Sequence, residues 1–327
     1  MIIQHLTAIT LAFIIDKIIG DPPHWPHPVR WMGRMIAFLE KSLNKGKKRR
    51  LYGFLMVTAV LMTFVTATAM FVSLLYQLHL VAGIIGEAVI ISTTIAQKSL
   101  KTAAMEVYEP LTHGNLNEAR TKLSYIVGRD TENLTEAEIA RATIETVAEN
   151  TSDGITAPLF WGLIGGAPLA VMYRVINTCD SMVGYRNERY EEFGKVSARL
   201  DDLVNWLPSR LTGFVMLMSM KHEQTKVKTG WSILFRDARR HPSPNSGWTE
   251  AAAAAIFGIQ LGGKNTYKGV VSHRAKMGDP LVPIQASHIK KVNTLLERTS
   301  LLFLLFLLLG GMTFAMAYTW IKSAILI

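Results

Sequence analysis

Arg141, Glu145 and Glu149 follow one another at four-residue intervals and set one cation and two carboxylates on a single face of any helix that carries them. The helix has a marked start, because Thr135 followed three residues later by Glu138 is a capping box. On a solvated helix face, the same pattern is worth only roughly 0.2–0.5 kcal/mol per ion pair. The residues after it carry more weight: Asn150, Ser152 and Asp153 extend the oxygen-rich surface into an expected loop. Hard oxygen donors of this kind suit Mg²⁺ held together with substrate phosphates.

A second constellation lies in residues 173–212. There Arg174, Asn177 and Asp180 fall at successive three-residue steps, and Asp201 and Asn205 are four apart. A charged amphipathic surface helix accounts for the spacing, but polar residues emerging from a Gly- and Pro-rich apolar stretch are costly unless paired or functional. Glu145, Glu149 and Asp180 are the expected metal ligands, and with Asp201 they are the candidate catalytic carboxylates. In residues 20–34, GDPPHWPHPVRWMGR, four prolines fix an extended backbone and stop any preceding helix. They hold Asp21, His27 and Arg30 towards a polar site, or else form a membrane-exit loop with snorkelling arginines. Asn150, Asp153, Arg174 and Asn177 join those three as candidate substrate-binding residues.

Residues 235–255, FRDARRHPSPNSGWTEAAAAA, place Arg236, Arg239, Arg240 and His241 before a helix that opens at Asn245 and Ser246. Guanidiniums next to free helix N–H groups make a phosphate site. The helix closes in GIQLGGKN, residues 258–265, which matches a P-loop except that Asn265 replaces serine or threonine. A P-loop follows a strand and opens a helix. Here the pattern ends one, so Gly262 and Gly263 are expected to form a helix-terminating turn.

These segments need a scaffold, and the composition says which kind. The chain of 327 residues is 49% hydrophobic, more than a soluble core of that size requires. Residues 51–78 and 299–321 carry no charged residue, and each exceeds the ~20 positions that cross a hydrocarbon core of ~30 Å. Residues 1–19 and 84–100 are probable further spans. Residues 155–173 and 203–220, broken by proline, glycine or Arg210, read as re-entrant or partial helices. The polar motifs occupy 20–50, 101–153, 174–202 and 221–298. The expected fold is therefore all-α: one integrated polytopic membrane domain over 1–327, with broken helices and cytoplasmic catalytic loops. One cysteine, Cys179, excludes an intramolecular disulfide and a Cys-rich zinc site; the expected topology puts it on the cytoplasmic side beside the site. The net charge of +10 is concentrated partly in Lys45, Lys47, Lys48, Arg49 and Arg50. A basic cluster before a span marks the cytoplasmic side and touches anionic lipid, so membrane lipids, and no nucleic acid, are the expected surface partners.

Taken together, GDPPHWPHPVR, ETVAENTSDG, APLFW, NTCDSMVGYRNERYEEFG, ARLDD, ARRHPSPNSG and LGGKNTYKG resemble the adenosylcobinamide-phosphate synthases, the CobD/CbiB family of cobalamin biosynthesis, from about residue 16 to 280. The resemblance implies an ATP-dependent amide ligase in the cytoplasmic membrane. Such an enzyme joins (R)-1-aminopropan-2-yl phosphate, or aminopropanol, to the propionate carboxylate of adenosylcobyric acid. ATP and Mg²⁺ are the implied cofactors, with Arg239, Arg240, His241, Asn245 and Ser246 on the nucleotide. Other membrane-associated enzymes of the late pathway are possible partners. A corrinoid transporter or a related non-catalytic membrane sensor is the alternative.

Overall fold

The computed structural model describes residues 2–325 except Pro23 and Arg186, without the side chains of Trp320 and residues 322–325. Thus Pro23 of the 20–34 segment, Arg186 of the 174–202 region and the Trp320 side chain of the expected last span lie outside the described residues. In chain order the helices are α1 (Ile2–Ile18), α2 (Pro28–Leu43), α3 (Arg49–Leu78), α4 (Leu80–Ser92), α5 (Gln97–Thr112), α6 (Leu116–Ser124), α7 (Glu136–Thr151), α8 (Ala157–Val183), α9 (Lys195–Val204), α10 (Trp206–Ser219), α11 (Val227–Asp237), α12 (Ser246–Phe257) and α13 (Ser287–Ile325). A hairpin of β1 (Leu261–Tyr267) and β2 (Val270–Met277) lies between the last two.

Among the described residues, four helical runs are long and apolar enough to cross a membrane: Arg49–Leu78, Leu80–Thr112, Glu136–Val183 and Ser287–Thr319. The chain is an α-helical polytopic membrane protein. Its two strongest expected spans fall in the first and last of these runs. Leu51, Phe54, Met62, Met70 and Phe71 of α3 are exposed, as side chains facing lipid must be, because acyl chains solvate them as well as a protein core does.

Packing divides the chain into two compact units. The first comprises Met1–Ala96, Gly154–Asn205 and Leu304–Ile327. In it, α2, α3 and α8 bury Met32, Ile36, Met56, Val60, Val175 and Phe193 around Cys179. That thiol is fully buried, so it is not the accessible surface probe that a cytoplasmic position beside the site suggested. Helix α8 breaks at Gly165 and Gly166, where Gly166 has φ 63°. The freed amide of Ala167 is caught at 2.9 Å by the Glu87 carboxylate of α4, which also takes hydrogen bonds from Tyr76 Oη at 2.7 Å and His5 Nδ1 at 3.1 Å. The buried charge and the opened helix satisfy each other.

The second unit comprises Gln97–Asp153 and Trp206–Phe303. Helix α12 is its centre, with Ala251 to Ala255 all buried against neighbouring helices. Alanine allows that close approach: a Cβ on Gly213 of α10 would already lie 2.8 Å from the Trp248 carbonyl. The helix stops at Gly258, left-handed with φ 66°. The glycines that follow differ from expectation. Gly262 and Gly263 belong to strand β1, at a bulge opposite β2, and the hairpin turns at Lys268 and Gly269, both with positive φ, as a two-residue turn requires. The segment after α7 also departs from the expected loop. Residues Ser152–Thr156 form a π-helical turn that passes directly into Ala157, a geometry frequent at functional sites.

Gly166→Ala is expected to be severely destabilising, because its Cβ would lie 1.8 Å from Glu87 Oε1. Gly114→Ala, also at positive φ but with open space around it, should lose only the conformational cost of about 1–2 kcal/mol. Thermal unfolding of the two variants in detergent checks the contrast; equal shifts would contradict the Glu87 lock.

Candidate active site

Thr135 caps α7 with the reciprocal hydrogen bonds of a capping box, which fixes the register of the helix and the side that bears Arg141, Glu145 and Glu149. That side is not solvated. Arg141 and Glu145 are buried and Glu149 is half-buried. Glu145 Oε2 pairs with Arg129 at 2.7 Å, and Oε1 accepts the Gly262 N–H of β1 at 2.8 Å. Arg129 also donates to Asn265 Oδ1 at 3.0 Å, and Arg141 reaches that oxygen at 3.1 Å and the Lys264 carbonyl at 2.9 Å. Glu149 Oε1 accepts the Ser246 hydroxyl of α12 at 2.6 Å.

One turn into α12 stands Glu250, fully buried, with Oε1 3.5 Å from His241 Nε2. Burial, reinforced by the charges of Glu145 and Glu149, raises its pKa well above the usual carboxylate range, against the pull of Arg274 and Arg129. His241 is shifted the other way. Burial lowers its pKa, and the Arg274 charge acts in the same sense while Glu149 opposes it. The Ser243 N–H donates to His241 Nδ1 at 3.0 Å, the Ser243 carbonyl lies 3.2 Å from the same nitrogen, and Nε2 faces Glu250. Arg274 of β2 completes the group: one guanidinium nitrogen lies 3.4 Å from His241 Nε2 and the other donates to Tyr267 Oη at 2.8 Å. The centre thus groups three guanidiniums, those of Arg129, Arg141 and Arg274, with three carboxyl groups, those of Glu145, Glu149 and Glu250.

The arginine block is arranged differently from the expected row of phosphate ligands. His241 turns inward, whereas Arg239 and Arg240 are exposed. Arg240 pairs with Asp237 at 3.1 Å. The amides at the start of α12 are not free: those of Asn245 and Ser246 approach Ser243 Oγ at 3.2 and 3.3 Å. Asp237 is the hub here. It takes both arms of Arg236, at 2.9 and 2.7 Å, and the Gly278 N–H at 2.9 Å.

In the first unit the structure brings the other expected residues into two groups. Asp21 Oδ1 lies 2.9 Å from His27 Nε2, and Arg30 reaches the Pro22 carbonyl at 3.4 Å. On α8, Arg174 fastens the chain after α4 through Nε to the Thr94 carbonyl at 2.9 Å, and touches Asn177 Oδ1 at 3.4 Å. Asn177 in turn donates to Asp201 Oδ1 at 3.2 Å. Asp180 is half-buried on the same helix, beside Gly184, where a Cβ would lie 1.8 Å from Asp180 Oδ1. In the second unit, Asn150 donates to the Thr146 carbonyl of its own helix at 2.9 Å, and Asp153 lies in the π-helical turn.

Sequence reasoning passed over Glu250, Arg129, Arg274 and Asn265. Glu250 left a signal, a lone carboxylate opening a run of five alanines four residues after Ser246. Arg274 left none, because the strand that carries it was not anticipated.

Fold and site define a helical membrane protein with a buried carboxylate and guanidinium centre. The family model described as CobD/CbiB protein matches residues 9–296. Among curated relatives, "Cobalamin biosynthesis protein CobD" of Halalkalibacterium halodurans is 54% identical over 96% of this chain and 99% of that protein. "Cobalamin biosynthesis protein CbiB" of Salmonella typhi is 44% identical over 90% of this chain and 93% of its own length. No solved structure matches. The chain belongs to the CobD/CbiB family, a family of cobalamin biosynthesis.

Asp237 yields a pH test of how the arginine block is held. Burial alone would raise its pKa, but the hydrogen bonds from Arg236 and Gly278 and the charges of Arg236 and Arg240 bring it below the ordinary value. A depressed carboxylate contributes stability that is present above its unfolded pKa of ~3.9 and lost as pH falls through the folded value. Asp237→Asn should therefore cost about 1–3 kcal/mol at neutral pH, with the gap to the parent closing below about pH 4. Unfolding midpoints across pH check this; a gap independent of pH would remove the ionised carboxylate from the account.

Proposed function

We propose that the chain is an adenosylcobinamide-phosphate synthase of the cytoplasmic membrane with its active site on the cytoplasmic side. It joins the propionate carboxylate of adenosylcobyric acid to (R)-1-aminopropan-2-yl phosphate, or to aminopropanol, at the expense of ATP. The observation that carries this reading is the buried centre of Glu145, Glu149 and Glu250 with Arg129, Arg141 and Arg274, in a chain that matches the CobD/CbiB family from 9 to 296.

A carboxylate is a poor electrophile. Its oxygen attacks the terminal phosphoryl group of ATP to give an acyl phosphate and ADP. The amine then attacks the acyl carbon, phosphate leaves, and the nitrogen loses a proton. Both steps move negative charge between phosphate oxygens, so the protein's task is positioning and charge stabilisation. Guanidiniums on a rigid frame meet that demand, and Arg239, Arg240, His241, Asn245 and Ser246 remain the residues assigned to the nucleotide. Asp21, His27, Arg30, Asn150, Asp153, Arg174 and Asn177 are assigned to the two substrates, with Asp180 and Asp201 as catalytic carboxylates.

Mg²⁺ would neutralise phosphate charge. Among the described residues no group of three His, Cys, Asp or Glu side chains is arranged to hold a metal by itself. Mg²⁺ keeps waters and substrate phosphates as most of its ligands. Glu149 fits the role best, since only one of its oxygens is engaged, by Ser246. Glu145 has both oxygens occupied and acts through Arg129 unless it is released, and Asp180 is the third proposed ligand.

Purified protein should convert adenosylcobyric acid to the amide only with amine, ATP and Mg²⁺ together, releasing one ADP per product. Corrinoid binding without turnover would favour the transporter or sensor. Glu149→Gln should raise the Mg²⁺ needed for half-maximal rate by about tenfold or more. Glu145→Gln should instead unpair Arg129 and cost about 3–5 kcal/mol of stability at every Mg²⁺ concentration. If both variants shifted the Mg²⁺ dependence alike, Glu145 would be a metal ligand as well.

A further inference from the structure

The cleft at the start of α3, in the first unit, differs from the basic stretch that runs past it. The end of α2, the first residue of α3 and the connection after α8 form an open recess of about 390 Å³ lined by Glu40, Lys41, Lys45, Arg49, Glu188 and Arg189. Glu40 is buried and already satisfied: Arg189 donates to it from two nitrogens at 3.0 and 2.9 Å, and Asn44 adds a third bond at 3.0 Å. Arg49 points into the same recess and donates to the Glu188 carbonyl at 3.4 Å. Lys41 and Lys45 make no ion pair among the described residues. Four cations thus face two anions, one of which is cancelled in place.

The surroundings say what kind of anion fits. Trp31, Phe38 and Lys41 succeed one another at seven and three residues on one side of α2, and Lys45 follows just past the helix end, while Met32 and Ile36 are buried on another side. Trp31 and Phe38 are exposed, as are Leu51, Phe54 and Leu55 within two turns of Arg49, where a membrane run begins. A cationic recess bordered by exposed aromatic and aliphatic side chains at the mouth of a span has the chemistry of a lipid headgroup seat.

We propose that this cleft binds the phosphate of an anionic glycerophospholipid, with the acyl chains lying along Phe38 and the first turns of α3. The test is a titration of full-length, detergent-solubilised protein with phosphatidylglycerol or phosphatidylcholine, read by native mass spectrometry. Phosphatidylglycerol should be retained selectively. Lys41→Gln with Lys45→Gln should weaken it about fivefold per lysine removed. Lys47→Gln with Lys48→Gln, which removes the same charge outside the cleft, should have little effect. Phe38→Ser leaves every charge in place and should weaken phosphatidylglycerol several-fold, which keeps the proposal testable if the lysine pair does not fold. Equal losses in the two lysine pairs would mean diffuse attraction and overturn the site. Displacement by inorganic phosphate at concentrations similar to the lipid would make the cleft a free-anion site, as would an unaffected Phe38→Ser. Absence of any preference over phosphatidylcholine would sink the proposal outright.

Discussion

A carboxylate inside a protein is tolerated only where both oxygens are matched, and in the second unit that constraint falls on Glu145. One oxygen holds Arg129 and the other holds the Gly262 amide, so a single side chain fastens α7 to the loop before it and to the first strand of the hairpin. The amide can come so close only because Gly262 is a bulged residue with φ 83°; a Cβ there would lie 2.1 Å from the Ala275 carbonyl. At its far end the hairpin is fixed by Asp130, whose two oxygens take the Lys268 and Gly269 amides at 2.8 Å each. A two-stranded ribbon is marginal on its own. Held at both ends, it becomes rigid enough to present Arg274 to His241.

Helix α12 supplies the complementary half. Its alanines lose little side-chain entropy and let neighbouring helices approach, but they offer no polar partner to the one acid among them. Burial and the neighbouring charges of Glu145 and Glu149 push the pKa of Glu250 well above the ordinary carboxylate range. The centre therefore sets three carboxyl groups among three guanidiniums.

Much of this was legible in the sequence, for reasons that differ by element. The capping box at Thr135 and the long spans are local signals, fixed by short-range hydrogen bonding or by hydropathy, and the structure forms them as the residues imply. The face bearing Arg141, Glu145 and Glu149 was likewise apparent from spacing. Its partners were not. Asn265 and Arg274 arrive through a hairpin, and Arg129 through the loop before α7; strand β1 begins with Leu-Gly-Gly, a sequence that reads as a helix end because glycine's positive φ serves a terminating turn and a β-bulge equally. His241 and Arg240 are neighbours with opposite fates, one buried beside Glu250 and Arg274 and one exposed with its local partner Asp237; the contacts across the fold that take His241 inward leave no mark in the local sequence.

The placement of charge in the long helical runs follows from their lengths. A hydrocarbon core of ~30 Å needs ~20 residues, whereas Glu136–Val183 has 48 and Ser287–Thr319 has 33. Each run thus contains a surplus that need not lie in lipid. In the last, the polar residues from His288 to Arg298 come before the uninterrupted apolar stretch. In the other, Arg141, Glu145 and Glu149 precede the apolar residues that begin near Ile155. The carboxylates are spared the desolvation of the bilayer interior, and the π-helical turn at Ser152–Thr156 falls where the character of the run changes. A single helical run can thus contribute both a membrane anchor and one face of a charged centre, because the anchor uses less than half of its length.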